Sequence, residues 1–186
     1  MARVIAERED VIPMLAEVFR TYGFEGASLA RITEGTKLGK SSIYHFFPGG
    51  KEEMAEAVLA QVDDWFKQNV FESLNERSDA VEGIAAMFDE VGRYFLSGRR
   101  VCLVGVFALG NERDRFADRI RDYFAAWIDA LAAALERTGR KPHEAQALAE
   151  EVVGSIQGAL VLARAFDRTD VFTETLKRLR KTLLTD

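Results

Sequence analysis

The chain has one cysteine, Cys102, two histidines, His45 and His143, and three prolines in 186 residues. A lone cysteine excludes an internal disulfide and fits a reducing compartment. Two histidines and one thiol are a poor supply for a metal site or a nucleophilic dyad, so no metal and no cofactor are expected. No Glu-x-x-His pair occurs, which removes the di-iron carboxylate bundle. Cys102 sits in an apolar run, where an inert thiol is the usual case. Few prolines and fourteen glycines disfavour a turn-rich β fold. Long hydrophobic runs are missing too, so no membrane span is expected. The first ten residues are too charged for a secretory signal. Together these absences point to a cytoplasmic protein.

What remains is helical material. Leu, Ala, Glu and Arg are abundant, and 48% of the chain is hydrophobic. The net charge is −5. The first fifty residues are charge-balanced, so the excess acid lies beyond them. Apolar spacing predicts about nine helices. Val11, Leu15, Val18, Phe19 and Tyr22 share a face of the first helix, which Gly23 stops. Asp10 as its N-cap would put Pro13 in the first turn, where a missing N–H costs nothing. Ser28 caps a short helix over about 29–35, and a turn follows near Thr36 to Leu38. A third helix covers Lys40 to Phe46 and ends at Pro48-Gly49-Gly50.

The fourth helix begins near Lys51 and carries Ala55, Val58, Leu59, Val62 and Phe66 on one face. Asp79-x-x-Glu82 has capping-box spacing and opens the fifth, with Val81, Ile84, Phe88, Val91 and Phe95 apolar. Ser97 to Arg100 breaks it. Residues 101–109 are a short apolar run, read as helix from their surroundings. Phe116 to Leu135, Pro142 to Phe166 and Asp170 to Leu184 complete the set. The fold class expected is all-α: a three-helix helix-turn-helix head, residues 1–50, on a larger helical body, residues 51–186, to which the family resemblance given below assigns ligand binding and dimerisation.

Residues 22–54 carry the functional signal. The third helix is polar along Gly39, Lys40, Ser41 and Ser42, while Ile43, Phe46 and Phe47 anchor its other side. Such a division suits a recognition helix, whose N-terminal residues meet base edges. Lys40 supplies charge for phosphates, and Ser28, Ser42, Tyr44 and His45 supply hydrogen bonds. Lys51 can add a contact to the flanking backbone. Taken singly, a lysine and two serines at a helix start are ordinary capping and solvation. The order of all these residues in one window carries the reading.

That window resembles the DNA-binding head of the TetR family of regulators. Phe19, Gly23-Phe24, Ser28, Ile32 and Lys40-Ser41-Ser42-Ile43-Tyr44-His45-Phe46-Phe47 match its pattern, and Pro48 to Met54 continue it. Cys102-Leu103-Val104-Gly105 is similar to the branch named for LmrA and YxaF. The resemblance implies a ligand-responsive repressor that binds a double-stranded DNA operator as a homodimer and is released by a small apolar or aromatic effector. It implies DNA contacts from Ser28, Arg31, Lys37, Gly39, Lys40, Ser41, Ser42, Tyr44, His45 and Lys51. The family usually has glycine where this chain has Lys37. A left-handed lysine there would cost on the order of 1 kcal/mol.

The eighth helix is apolar nearly all round and is expected to be buried on most sides. Gly154 and Gly158 allow close approach, either within the chain or to a second copy. The resemblance favours the second copy. It implies a dimer interface of Val153, Gly154, Ile156, Gln157, Gly158, Val161, Phe172, Leu176 and Leu179. The aromatic residues of the body fill core or line a pocket. The pocket set expected is Phe88, Tyr94, Phe95, Cys102, Phe107, Tyr123, Trp127 and Phe166. Two other functions compete: a helical ligand-binding protein that does not touch DNA, and a helical enzyme.

Overall fold

The computed structural model describes residues 7–76 and 79–184. Among them there are nine helices and no strand. They are α1 (Arg8–Gly26), α2 (Leu29–Thr36), α3 (Lys40–Phe46) and α4 (Gly50–Phe66). α4 continues unbroken through a π-helical stretch, Lys67–Phe71, and a last turn, Glu72–Glu76. Then follow α5 (Ala80–Tyr94), α6 (Leu103–Leu109), α7 (Ala117–Arg137), α8 (Pro142–Phe166) and α9 (Asp170–Leu184). The run at 101–109, ambiguous by periodicity, is helical from Leu103. The chain forms two compact units. One holds the residues up to Asp63 together with Leu103–Ile120; the other holds Asp64–Cys102 and Arg121–Asp186.

In the first unit α1 starts earlier than its sequence signals. Its N-cap is Glu7, so Asp10 lies in the first turn and Pro13 lies inside the helix. The expected Asp10 cap is therefore wrong. The reason is tertiary. Arg8 donates from Nε to the Phe46 carbonyl at 3.3 Å, pairs with Glu53 at 3.3 Å, and stacks over the Phe47 ring at 4.7 Å. These contacts hold the first turn in helical form. Pro13 and Glu9 are exposed, so water can satisfy the carbonyl that the proline leaves unbonded. The helix also outruns Tyr22. Gly23 is not a stop but a kink, at φ 65°, and helix continues to Gly26. That left-handed geometry is inexpensive only for glycine.

Val11, Leu15, Val18, Phe19 and Phe24 form the α1 side of this core. α2 lies close against it. A Cβ on Gly35 would come within 2.3 Å of Val18 Cγ2, so glycine is required there. Residues 103–120 join this core with buried residues of α2, α3 and α4. Phe107 packs edge-on to Phe19 at 5.8 Å, and Phe116 to Phe24 at 5.4 Å. The Glu112 carboxylate is buried and accepts the Phe24 N–H at 3.3 Å. An unpaired buried amide would cost about 1–3 kcal/mol, so this bond fixes the end of α1.

The second unit begins α5 with a true cap: Asp79 Oδ1 accepts from Val81 N at 2.8 Å and Glu82 N at 3.3 Å. Ile84, Phe88, Val91 and Phe95 are buried as expected, but Val81, in the first turn, is 45% exposed. Leu96, Ser97 and Gly98 all have positive φ and end the helix. Phe66 is the hub of an aromatic cluster, with ring centres 4.9 Å from Tyr94, 5.0 Å from Tyr123 and 5.2 Å from Trp127. α8 buries Ala149, Val152, Ile156 and Leu160, and α9 covers it with Phe172 and Leu176. Arg180 joins α9 to α5 through Asp89 at 2.6 Å. At the start of α9 a hydrogen bond from Arg168 holds the Asp170 carboxyl below the ordinary carboxylate range.

The expectation that α8 is buried on most sides does not hold in the single chain. Gly154, Gly158, Val161, Leu162 and Phe166 are exposed along one face. Apolar periodicity reports a face that avoids water; it cannot report whether its own chain covers that face.

Candidate nucleic-acid interface

The interface is built from α2, the turn after it, and α3. Ser28 is the N-cap of α2, and its hydroxyl accepts the Arg31 N–H at 3.4 Å. Thr36 closes the helix. Fully buried, it donates to the Ile32 carbonyl at 2.7 Å and accepts the Leu38 N–H at 3.4 Å. Between them Lys37 takes the left-handed conformation, φ 60° and ψ 20°. The strain anticipated from sequence is therefore present. Gly39 is the N-cap of α3 and brings no capping side chain.

α3 is two-faced. Ile43, and Phe47 just past its end, are fully buried. Lys40, Ser41, Ser42, Tyr44 and His45 are exposed. Phe46 is only partly buried; its carbonyl receives Arg8, and its ring meets His45 at 5.5 Å. Two buried anchors one turn apart fix the helix about its own axis. The polar residues between and before them must then face outward. Lys37 and Lys40 have no ion-pair partner among the described residues, so their charge is open to an anion.

Two other cations of the set are already engaged. Lys51 lies 4.4 Å over the Phe24 ring and 3.9 Å from Glu25. Arg31 lies 4.2 Å over the Tyr22 ring and donates from Nη1 to the Gly26 carbonyl at 2.7 Å. Ser28 and Arg31 are exposed, and Lys51 is half-buried. All ten residues expected to contact DNA thus reach the surface of one compact unit.

Sequence reasoning missed Arg8, Gly35 and Glu112, and it put Tyr22 on the apolar face of α1, where the ring is 42% exposed. Glu112 and Arg8 act over 88 and 38 residues of chain, a range local spacing does not reach. Gly35 left a weak signal as a glycine inside a helical pattern.

In the second unit Phe88, Tyr94, Phe95, Cys102, Tyr123 and Trp127 are buried. Two other members of the expected pocket set lie elsewhere. Phe107 is core of the first unit, packed on Phe19 and Phe116. Phe166 is 61% exposed, at the end of α8. The residues expected at a dimer interface divide in the same way. Val153, Ile156, Phe172 and Leu176 are buried within the chain, whereas Gly154, Gly158 and Val161 are exposed and Gln157 and Leu179 are half-buried. Among the described residues no three His, Cys, Asp or Glu side chains are grouped to hold a metal, and no helix is long and apolar enough to cross a membrane.

Comparison with known proteins matches both parts of the chain. Residues 15–58 match the model of bacterial regulatory proteins of the tetR family. Residues 80–178 match the C-terminal domain of LmrA/YxaF-like transcriptional regulators. The HTH-type transcriptional regulator YxaF of Bacillus subtilis is 26% identical over 160 residues, which span 84% of each chain. A TetR transcriptional regulator from Legionella pneumophila superposes with TM-score 0.79 at 22% identity, covering 97% of this chain and 99% of that one. The TetR-family regulator CifR, in complex with 26-bp double-strand operator DNA, superposes with TM-score 0.74 at 24% identity, covering 97% and 98%.

Proposed function

This chain belongs to the LmrA/YxaF-like branch of the TetR family of transcriptional regulators, and from that premise we propose that it is a cytoplasmic, homodimeric repressor rather than an enzyme. Residues 1–50 grip an operator, and residues 51–186 hold the effector and the dimer contact. The observation that carries the reading is the division of α3. Ile43 and Phe47 are fully buried, while Lys40, Ser41, Ser42, Tyr44 and His45 stand out, and no acid among the described residues pairs with Lys40. A helix so anchored enters a major groove with its polar face and has its orientation fixed from behind. Lys40 and Lys37 neutralise phosphates, Ser41 and Ser42 reach base edges, and Ser28, Tyr44, His45 and Lys51 set register on the backbone. Gly39 keeps the start of α3 thin enough to approach the duplex. The CifR complex, an operator-bound relative in fold, supports this use of the head.

Dimerisation rests on α8. A Cβ added to Gly154 or Gly158 would meet nothing within 4 Å, so packing inside the chain does not explain either glycine. Val161, 57% exposed, and Phe166, 61% exposed, extend the same apolar stretch. A second copy across a two-fold axis covers it, with Gly154, Gln157, Gly158 and Val161 at the centre and Leu179 at the edge. An apolar or aromatic effector binds among Phe88, Tyr94, Phe95, Cys102, Tyr123 and Trp127. It releases the operator only so far as it binds the released state better than the gripping one.

Selection of bound sequences from random double-stranded DNA tests the reading. The expected result is a two-fold-symmetric site whose half-sites are centred about one helical turn, ~34 Å, apart or a multiple of it. Recovery of no sequence at all rejects it.

A further inference from the structure

The DNA-binding reading counts Arg31 among its contacts but gives no part to the Tyr22 ring that lies against it at the α1–α2 corner. Arg31 is in the first turn of α2, and its long side chain is not loose. Its guanidinium carbon lies over the Tyr22 ring, 4.2 Å from the ring centre, and Nη1 donates to the Gly26 carbonyl at 2.7 Å. Tyr22 is the last residue before the Gly23 kink, and it is 42% exposed. Nε and Nη2 of Arg31 have no partner among the described residues, and no acid forms an ion pair with it. The nearby Glu25 carboxylate is turned instead toward Lys51, at 3.9 Å.

The geometry selects what can complete this arrangement. One face of the guanidinium is covered by the ring, and one nitrogen is held by the backbone. The remaining edge, Nε–H beside Nη2–H, presents two parallel donors, the fork that matches two oxygens of a phosphodiester. The first helix of a helix-turn-helix crosses the DNA backbone rather than the bases. A contact from α2 is therefore a phosphate contact. We propose that Tyr22 is a positioning residue that holds Arg31 as a preformed clamp for one operator phosphodiester in each half-site. This rests on the DNA-binding reading above.

An arginine normally loses much rotamer freedom when it engages a ligand. Here the ring and the Gly26 carbonyl have ordered it before DNA arrives. Tyr22 therefore raises affinity without touching the duplex and without reading sequence. Its hydroxyl is not needed; its ring face is.

The test measures binding to a selected operator and to unrelated duplex DNA across a salt series, using wild-type protein, Tyr22→Ala, Tyr22→Phe, Arg31→Ala and the double variant. Tyr22→Ala weakens binding by roughly fivefold to thirtyfold per dimer, the effect of losing one exposed cation–ring contact in each copy. The loss is equal on both DNAs, and Tyr22→Phe restores wild-type affinity to within about twofold. Arg31→Ala lowers the salt slope by ~1.8, which is ~0.9 for each of two phosphates released. In the Arg31→Ala background, Tyr22→Ala adds nothing. A ring that only props the α1–α2 corner would cost as much with Arg31 absent as with it present. That result, or unchanged binding by Tyr22→Ala, overturns the proposal. Tyr22→Leu, which fills the same space without a ring face, takes the place of the alanine variant if that fails to fold, and the same two outcomes decide it. Failure of the wild-type protein to bind any duplex would instead remove the DNA-binding reading, and this inference with it.

Discussion

α3 and α8 each present a face that their own chain does not fill, and the two faces are opposite in chemistry. α3 is a seven-residue helix held by Ile43 and Phe47, with one lysine, hydroxyls and an imidazole outside. α8 is a 25-residue helix held by Ala149, Val152, Ile156 and Leu160, with glycine, valine and phenylalanine outside. The short helix owes its geometry to two anchors and leaves polar groups for an anionic surface. The long helix leaves apolar surface and two glycines unexplained by internal packing, which suits a second protein surface. The open faces of a chain thus separate by chemistry into the partners they can take.

The comparison can be broken at either end. The largest effect is expected at α8. Val161→Asp puts a charge in the centre of the proposed dimer face, and the dimer dissociation constant should rise on the order of a hundredfold or more. Sedimentation equilibrium measures it, and a thermal melt unchanged at fixed monomer content shows that the fold survived. Next is Ile43→Ala. Emptying a fully buried anchor behind α3 should cost about 2–5 kcal/mol of stability, read from denaturant unfolding. Its effect on DNA binding should exceed that of any single exposed α3 residue, because the whole helix loses its orientation.

Lys40→Ala comes third. It should leave unfolding unchanged within ~0.5 kcal/mol, as surface changes do. Binding should weaken about equally on all sequences, with the salt slope smaller by about 1.8 for two copies. A loss confined to particular base pairs would instead assign Lys40 to base readout. Smallest is Lys37→Gly. Relieving the left-handed lysine should stabilise the head by about 1 kcal/mol. If operator affinity falls as stability rises, Lys37 is a phosphate contact whose strain serves binding. If affinity is unchanged, the lysine has no role at the DNA.

How much was legible in advance follows the same division. The limits of α3, α8 and α9 follow from caps, Gly-Pro punctuation and spacing, which are local signals. Ser28 was readable as a cap because capping needs only three residues of context. Pro13 misled because its nearest favourable context, Asp10, is local, while the contacts that hold the first turn come from Phe46, Phe47 and Glu53. Position in the chain alone puts Phe107 in the body, yet residues 103–120 return to pack with α1. An apolar stripe does not name its partner, so spacing alone overstates the burial of α8 within one chain. The exposed residues of the candidate site were legible as a group, since their identity and order carry the signal. Which of them are already engaged, as Arg31 is by Tyr22, depends on side-chain geometry across a kink.

The measurement that bears most directly on the central claim is a guanine-N7 methylation footprint of the wild-type protein on its selected operator. The N7 atom lies in the major groove, where α3 is expected to enter. The account predicts two protected clusters on one face of the duplex, about one turn apart or a multiple of it, both lost in Val161→Asp at concentrations below its dimer dissociation constant. Protection of a single cluster, or binding with no major-groove protection at all, would contradict it.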